Sequence, residues 1–134
     1  MIEHENLGKV LIVEDSEPLR KVLAEKLRDE GYAIVEAGGG DEGYKLSLEE
    51  KPAIIISDLV MFPMDGIEMT RKIREAGSWG ENVPIIALTN QSENEEQDRA
   101  TAAGITQYFV KADTSLDQVV AYVKDALHPK KGHK

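Results

Sequence analysis

Five residues put polar chemistry at the ends of four apolar runs in this chain. Glu14 and Asp15 follow KVLIV, Asp58 follows IIIS, Thr89 closes IIALT, and Lys111 follows QYFV. A carboxylate beside an oily run is costly to bury without a partner. Three carboxylates gathered in one place repel and raise one another's pKa values, so a compensating cation is required. Two sources are available. A divalent cation such as Mg²⁺ is hard, prefers oxygen, and keeps several waters beside one or two carboxylates. Lys111 supplies an ammonium, and Thr89 adds a hydroxyl. Each residue alone has an ordinary explanation: an acidic pair opening a capped helix, an aspartate in a turn, a structural threonine, a solvated lysine. Their shared position, each at the end of a run, is what points to a site.

Five apolar runs must position these groups: Lys9–Val13, Tyr32–Glu36, Ala53–Ser57, Val83–Leu88 and Thr106–Val110. Runs rich in Ile and Val without strict alternation suit strands buried on both faces, as in a parallel sheet. Helical patterns lie between them. Leu19, Val22, Leu23 and Leu27 form an apolar stripe, with Ser16 as its cap, Pro18 in the first turn and Gly31 at the C-terminal end. Leu116, Val119, Val120, Val123 and Leu127 form another. Thr114 precedes that stripe in a near capping box with Asp117, and Pro129 ends it. The segments near Asp41–Glu50, Gly66–Ala76 and Ser92–Ala103 read as the remaining helices, the last with polar opening turns. Five alternations of strand and helix predict an open α/β sheet with helices on both faces. In such a sheet ligands bind outside the carboxyl ends of the strands, which is where the polar groups fall.

The chain has 134 residues, enough for one domain with a core. Its net charge of −9 disfavours direct contact with nucleic acid or an anionic membrane. A cation or a basic protein patch is the better partner. The absence of cysteine excludes disulfides and thiolate metal sites and allows a reducing compartment. The opening MIEHENLGKV lacks a signal-peptide pattern, and no apolar run approaches the roughly 20 residues of a membrane span. The chain therefore reads as cytoplasmic. Residues 1–8 read as an N-terminal extension, 9–127 as the domain, and 128–134 (HPKKGHK) as a mobile basic tail.

Glu14–Asp15, Asp58 with Met64–Gly66 (MDG), Thr89 and Lys111 together resemble the receiver domain of two-component response regulators, over about Lys9 to Leu127. The resemblance implies a doubly wound (βα)5, flavodoxin-like three-layer sandwich with a parallel five-stranded sheet of order 2-1-3-4-5. It implies that Asp58 is the phosphoacceptor, supplied by a sensor histidine kinase or a histidine phosphotransfer protein. Asp15 and Asp58 would bind Mg²⁺ with the main-chain carbonyl of Val60, and Glu14 through a water. Lys111 and Thr89 would bind phosphoryl oxygens, and Tyr108 would be the switch aromatic. The chemistry of phosphoryl transfer, a nucleophile in line with charge compensation for the equatorial oxygens, suits this set. Such a domain is a signalling module that catalyses only its own phosphorylation and dephosphorylation. With no output domain after the last helix, it would act through a downstream protein partner.

Three features depart from the family pattern. Ala112 follows Lys111 where the family commonly has a proline joined by a cis bond; a cis bond to a non-proline residue costs about 2.5–4 kcal/mol, so the bond is expected to be trans, or strained if cis. Phe62 stands four residues after Asp58 where a proline is common, and Pro63 follows it. Val60–Met64 is an apolar stretch that reads as loop packing or as a docking patch for the partner. Val60 offers no carboxylate or amide beside Gln91 to aim an attacking water, which predicts a phosphoryl group that is not unusually short-lived. Three other readings compete: an unphosphorylated pseudo-receiver adaptor, a haloacid-dehalogenase-type phosphatase, and a flavin binder. The phosphatase usually needs a second aspartate where Val60 stands. The flavin binder needs a hydroxyl- and glycine-rich loop where Glu14–Asp15 stands.

Overall fold

Strand formation follows the Ile- and Val-rich runs. The computed structural model describes residues 7–129. Its strands are β1 (Lys9–Val13), β2 (Ala33–Ala37), β3 (Ile54–Ser57), β4 (Ile85–Thr89) and β5 (Gln107–Val110). They form one parallel sheet of order β2-β1-β3-β4-β5, the order that the resemblance implied. β2, β3, β4 and β5 begin one or two residues later than their apolar runs, because Tyr32, Ala53, Val83, Pro84 and Thr106 lead into the strands. Register sets the functional edge. Val13 lies opposite Ser57, Ser57 opposite Ala87, and Thr89 opposite Val110, so the strand ends that precede Glu14, Asp58 and Lys111 lie side by side.

Alternate strand residues feed two apolar layers. On one face Val10, Ile12, Ile54, Ile56, Ile86 and Leu88 pack with α1 (Glu17–Asp29) and α6 (Leu116–Leu127). On the other, Leu11, Val13, Ile55, Ile85 and Ala87 pack with α3 (Gly66–Arg74) and α5 (Asn94–Ala103), and α2 (Gly40–Glu50) adds Tyr44 and Leu46. A short helix, α4 (Ser78–Asn82), precedes β4.

Four details differ from expectation. Val22 is 49% exposed, and the buried stripe of α1 is Leu23, Ala24 and Leu27. The cap of α6 is Ser115, not Thr114: Ser115 Oγ accepts from Gln118 N, and Gln118 Oε1 accepts from Ser115 N. Thr114 instead donates its hydroxyl to the Val110 carbonyl. α5 starts at Asn94 without a side-chain cap and buries only Ala100 and Ala103. α4 was not foreseen; it is held from outside, by Trp79 Nε1 donating to the Pro52 carbonyl and Arg74 donating to the carbonyls of Gly80 and Val83. The expected extension and tail fall largely on residues outside those described. No helix among the described residues is long and apolar enough to cross a membrane.

Candidate functional site

The sheet edge brings the carboxylates together through main-chain bonds. Glu14 N donates to the Ala37 carbonyl, and Asp58 N to the Val13 carbonyl, each at 3.0 Å. Both groups are therefore extensions of the strand pairing, beyond the last residue of β1 and of β3. Glu14 and Asp58 are buried, Asp58 to 8% exposure, and Asp15 is exposed. One carboxylate oxygen from each of the three lies within 4.8 Å of the others.

A single cation ties two of them. Lys111 Nζ lies 3.0 Å from Glu14 Oε1 and 3.0 Å from Asp58 Oδ2. The remaining oxygens are occupied by main-chain donors: Asp58 Oδ1 accepts from Leu59 N (2.6 Å) and Val60 N (3.3 Å), and Glu14 Oε2 accepts from Ser16 N (3.0 Å). Burial raises the pKa of Glu14 above its ordinary value, and the Ser16 amide and Lys111 offset this only in part. For Lys111, burial lowers the pKa, but the hydrogen bonds to Asp58 and Glu14 outweigh it and hold the ammonium above its ordinary value. The shared contact thus favours the charged lysine more than it favours Glu14, because one cation serves two buried acids.

Gly66 fixes where Asp58 can sit. A Cβ at Gly66 would meet the Asp58 carbonyl oxygen at 2.2 Å and Leu59 Cα at 3.0 Å. Gly66 N also donates to the Leu59 carbonyl, and Asp65 caps α3 through Glu68 N. The glycine of the MDG stretch is the close approach that seats α3 against the acidic turn.

Thr89 is fully buried, and its Oγ1 accepts from Gln91 N at 3.3 Å. Tyr108 turns toward the same loop, donating its hydroxyl to the Gln91 carbonyl at 2.7 Å. Burial, followed by the charges of Glu96, Glu93 and Asp58, pushes the Tyr108 hydroxyl above its ordinary pKa. Glu14, Asp15, Asp58, Val60, Thr89 and Lys111 line one cleft of about 310 Å³ with Ser16, Asn90 and Gln91. Tyr108 lies behind it and does not line it. Val60 is 47% exposed at the mouth, and Phe62 beyond it is 86% exposed. The Phe62–Pro63 bond is the only cis peptide bond among the described residues, so Lys111–Ala112 is trans and leads into a short 3₁₀ turn, Lys111–Asp113.

Arg20 escaped the sequence reading. Its Nε donates to Glu36 Oε1 at 3.0 Å and its Nη1 to the Glu14 carbonyl at 2.9 Å. The signal was present: a cation within the first five residues of a helix opposes the helix dipole, so something outside the helix must hold it.

The donor set fits Mg²⁺. Three clustered carboxylates offer hard oxygen ligands at an open cleft, and the exposed Asp15 carboxylate is the one that Lys111 does not engage.

Comparison with known proteins matches residues 10–124 to the response regulator receiver domain. The chain is 38% identical over 126 residues to the transcriptional regulatory protein ResD of Bacillus subtilis, covering 94% of this chain and 50% of ResD. It is 36% identical over 120 residues to the transcriptional regulatory protein SrrA of Staphylococcus aureus, covering 90% of this chain and 48% of SrrA. It spans about half the length of these curated relatives. Among solved structures it is similar to the chemotaxis protein CheY4 of Vibrio cholerae, with a TM-score of 0.82 and 29% identity, covering 90% of this chain and 98% of that one. A two-component response regulator of the LuxR family from Aurantimonas is similar too, with a TM-score of 0.80 and 28% identity over 92% of this chain and 87% of that one.

Proposed function

This chain belongs to the response regulator receiver domain family, and from that premise we propose that it accepts a phosphoryl group on Asp58 and thereby switches a protein-binding surface. The observation that carries this reading is the placement of Lys111 Nζ 3.0 Å from both Asp58 and Glu14, with an Asp15 oxygen within 4.8 Å of theirs.

The donor is a phosphohistidine on a sensor kinase or phosphotransfer protein. A carboxylate oxygen of Asp58 attacks phosphorus, the bond from phosphorus to the imidazole nitrogen breaks, and an acyl phosphate forms. The protein's part is positioning and electrostatics. Main-chain amides of Leu59 and Val60 orient the Asp58 carboxylate. Lys111, kept protonated by its acidic neighbours, and the Thr89 hydroxyl receive the transferred oxygens. Asp15, Asp58 and the Val60 carbonyl would hold Mg²⁺, and Glu14 through a water. Bound there, the metal supplies neutralising charge for the phosphoryl oxygens. Loss of the group is hydrolysis by water. The domain thus acts once on itself and is not a turnover enzyme.

Val60 at the mouth of the cleft and the exposed Phe62 two residues on offer apolar surface as a seat for the donor. The added charge of about −1.5 to −2 would draw on Thr89 and Lys111 and so bias Gln91, Tyr108 and the neighbouring faces of α5 and α6 toward a downstream protein.

The test is incubation with acetyl phosphate and Mg²⁺ followed by intact mass. Wild type should gain one phosphoryl mass, EDTA should abolish the gain, and Asp58→Asn should gain none. Equal labelling of both proteins would reject Asp58 as acceptor. A wild type that takes no label would leave the unphosphorylated adaptor as the better reading.

A further inference from the structure

Of the three clustered carboxylates, Asp15 is the one whose side chain no hydrogen bond or ion pair holds among the described residues. Glu14 and Asp58 each have both oxygens engaged. The Asp15 side chain is exposed and makes no hydrogen bond or ion pair among the described residues. Its position is set through its backbone: the Ser16 amide that follows it is anchored on Glu14 Oε2, and before it stands the peptide plane that joins it to Glu14.

That plane is fixed at its carbonyl oxygen by Arg20. The peptide unit is rigid, so an anchor on the Glu14 oxygen also orients the bond to Asp15 Cα. Arg20 is itself fixed by Glu36 on β2, through Nε at 3.0 Å, while Nη1 reaches the Glu14 carbonyl at 2.9 Å. Glu36 is gripped by Lys21 and Arg28 as well. The guanidinium is a planar fork with donors in fixed relation, so it transmits the position of the edge strand to the acidic turn. A lysine carries its three donors on one nitrogen, so it lacks the separate Nε and Nη1 positions that reach Glu36 and the Glu14 carbonyl here.

We propose that Arg20, held by Glu36, is a positioning residue that prearranges Asp15 as a metal ligand; this rests on the receiver reading above. The sign of the effect separates positioning from simple electrostatics. Arg20 carries positive charge close to the site. By Coulomb's law alone its removal should tighten binding of a divalent cation. If its role is to orient the turn, its removal should weaken binding, as loss of groups that orient metal ligands typically does.

The experiment is calorimetric titration of Mg²⁺ alone into the full chain, without any phosphodonor, with thermal melts to confirm folding. Arg20→Met should bind Mg²⁺ about 10-fold more weakly than wild type. Arg20→Lys, which keeps the charge, should be comparably weak, and it decides the question should Arg20→Met not fold. Adding Glu36→Gln to Arg20→Met should cause no further loss. Binding by the Arg20 variants equal to or tighter than wild type would overturn the proposal. If wild type takes a phosphoryl group on Asp58 while the variants bind Mg²⁺ normally, only the positioning role fails. If wild type neither binds Mg²⁺ nor takes the label, the acceptor reading falls and this inference falls with it.

Discussion

Tyr108 donates its hydroxyl to the main-chain carbonyl of Gln91 at 2.7 Å, and the amide of the same Gln91 donates to Thr89 Oγ1. One residue therefore joins the buried hydroxyl of the cleft to the aromatic ring behind it. Any motion of Thr89 toward a new anion must release or drag the Gln91 peptide. Tyr108→Phe should cost about 0.5–1.5 kcal/mol, the net worth of an ordinary hydrogen bond, read by urea denaturation. With Mg²⁺ and beryllofluoride as the phosphoryl mimic, the Gln91 amide and Tyr108 ring resonances should shift together in wild type. In Tyr108→Phe the Gln91 shift should be altered. Unmoved Gln91 and Tyr108 signals in wild type would count against this link.

Gly66→Ala tests the close approach beneath Asp58. The added methyl would meet backbone atoms, including the Asp58 carbonyl at 2.2 Å. Backbone cannot yield as a flexible side chain does, so the acidic turn must move. Overpacking of this kind costs about 1–3 kcal/mol. Slower labelling by acetyl phosphate should accompany the lost stability. A variant with wild-type midpoint and labelling rate would show that α3 can shift without disturbing the acceptor.

Two carboxylates should respond to acid in opposite directions. Glu36 is raised by burial, but Arg20, Lys21 and Arg28 outweigh this and hold it below its ordinary value. Its contribution is present above the ordinary carboxylate pKa of 4.5 and is lost as pH falls through its lower folded value. Glu14, raised chiefly by burial, does the reverse: as pH rises above 4.5 and through its folded value, its ionisation costs stability. In metal-free buffer with EDTA, Glu36→Gln should therefore destabilise at pH 7, with the loss shrinking toward acid. The penalty of Glu14 ionisation should appear as a stability gain for wild type, relative to Glu14→Gln, as pH falls toward 4.5. Denaturation midpoints across pH 3–8 measure both, and parallel profiles for the two variants would contradict the assignment.

The strand-end chemistry was legible because it depends on local order. An apolar run followed by an acid, a hydroxyl or an amine needs no knowledge of distant residues, and the parallel register did the rest. Glu14, Asp15, Asp58, Thr89 and Lys111 all line the cleft for that reason. What stayed hidden depends on contacts across the chain. α4 has five residues, too few for any periodicity, and is held by Trp79 on Pro52 and by Arg74. Ser115 and Thr114 are chemically equivalent as caps, and the choice turned on Gln118 reaching back. On α1 the small side chain of Ala24 lies against the core while Val22 faces out, a rotation of the stripe that hydrophobicity alone does not reveal. The polar opening of α5 was visible as a weakness, and only its last turns reach the core.

Arg74 gives the sheet a fixed foot. Its guanidinium binds the carbonyls of Gly80 and Val83 just ahead of β4 and the carbonyl of Gly104 just ahead of β5, while Thr106 Oγ1 accepts from Ile85 N. The two strands that carry Thr89 and Tyr108 are thus stapled to one another where they start, and their pairing runs on to Thr89 and Val110 at the cleft. The clamp anchors the end of the sheet opposite the cleft, so the two strands can yield to a new charge only as a joined pair and only on the cleft side.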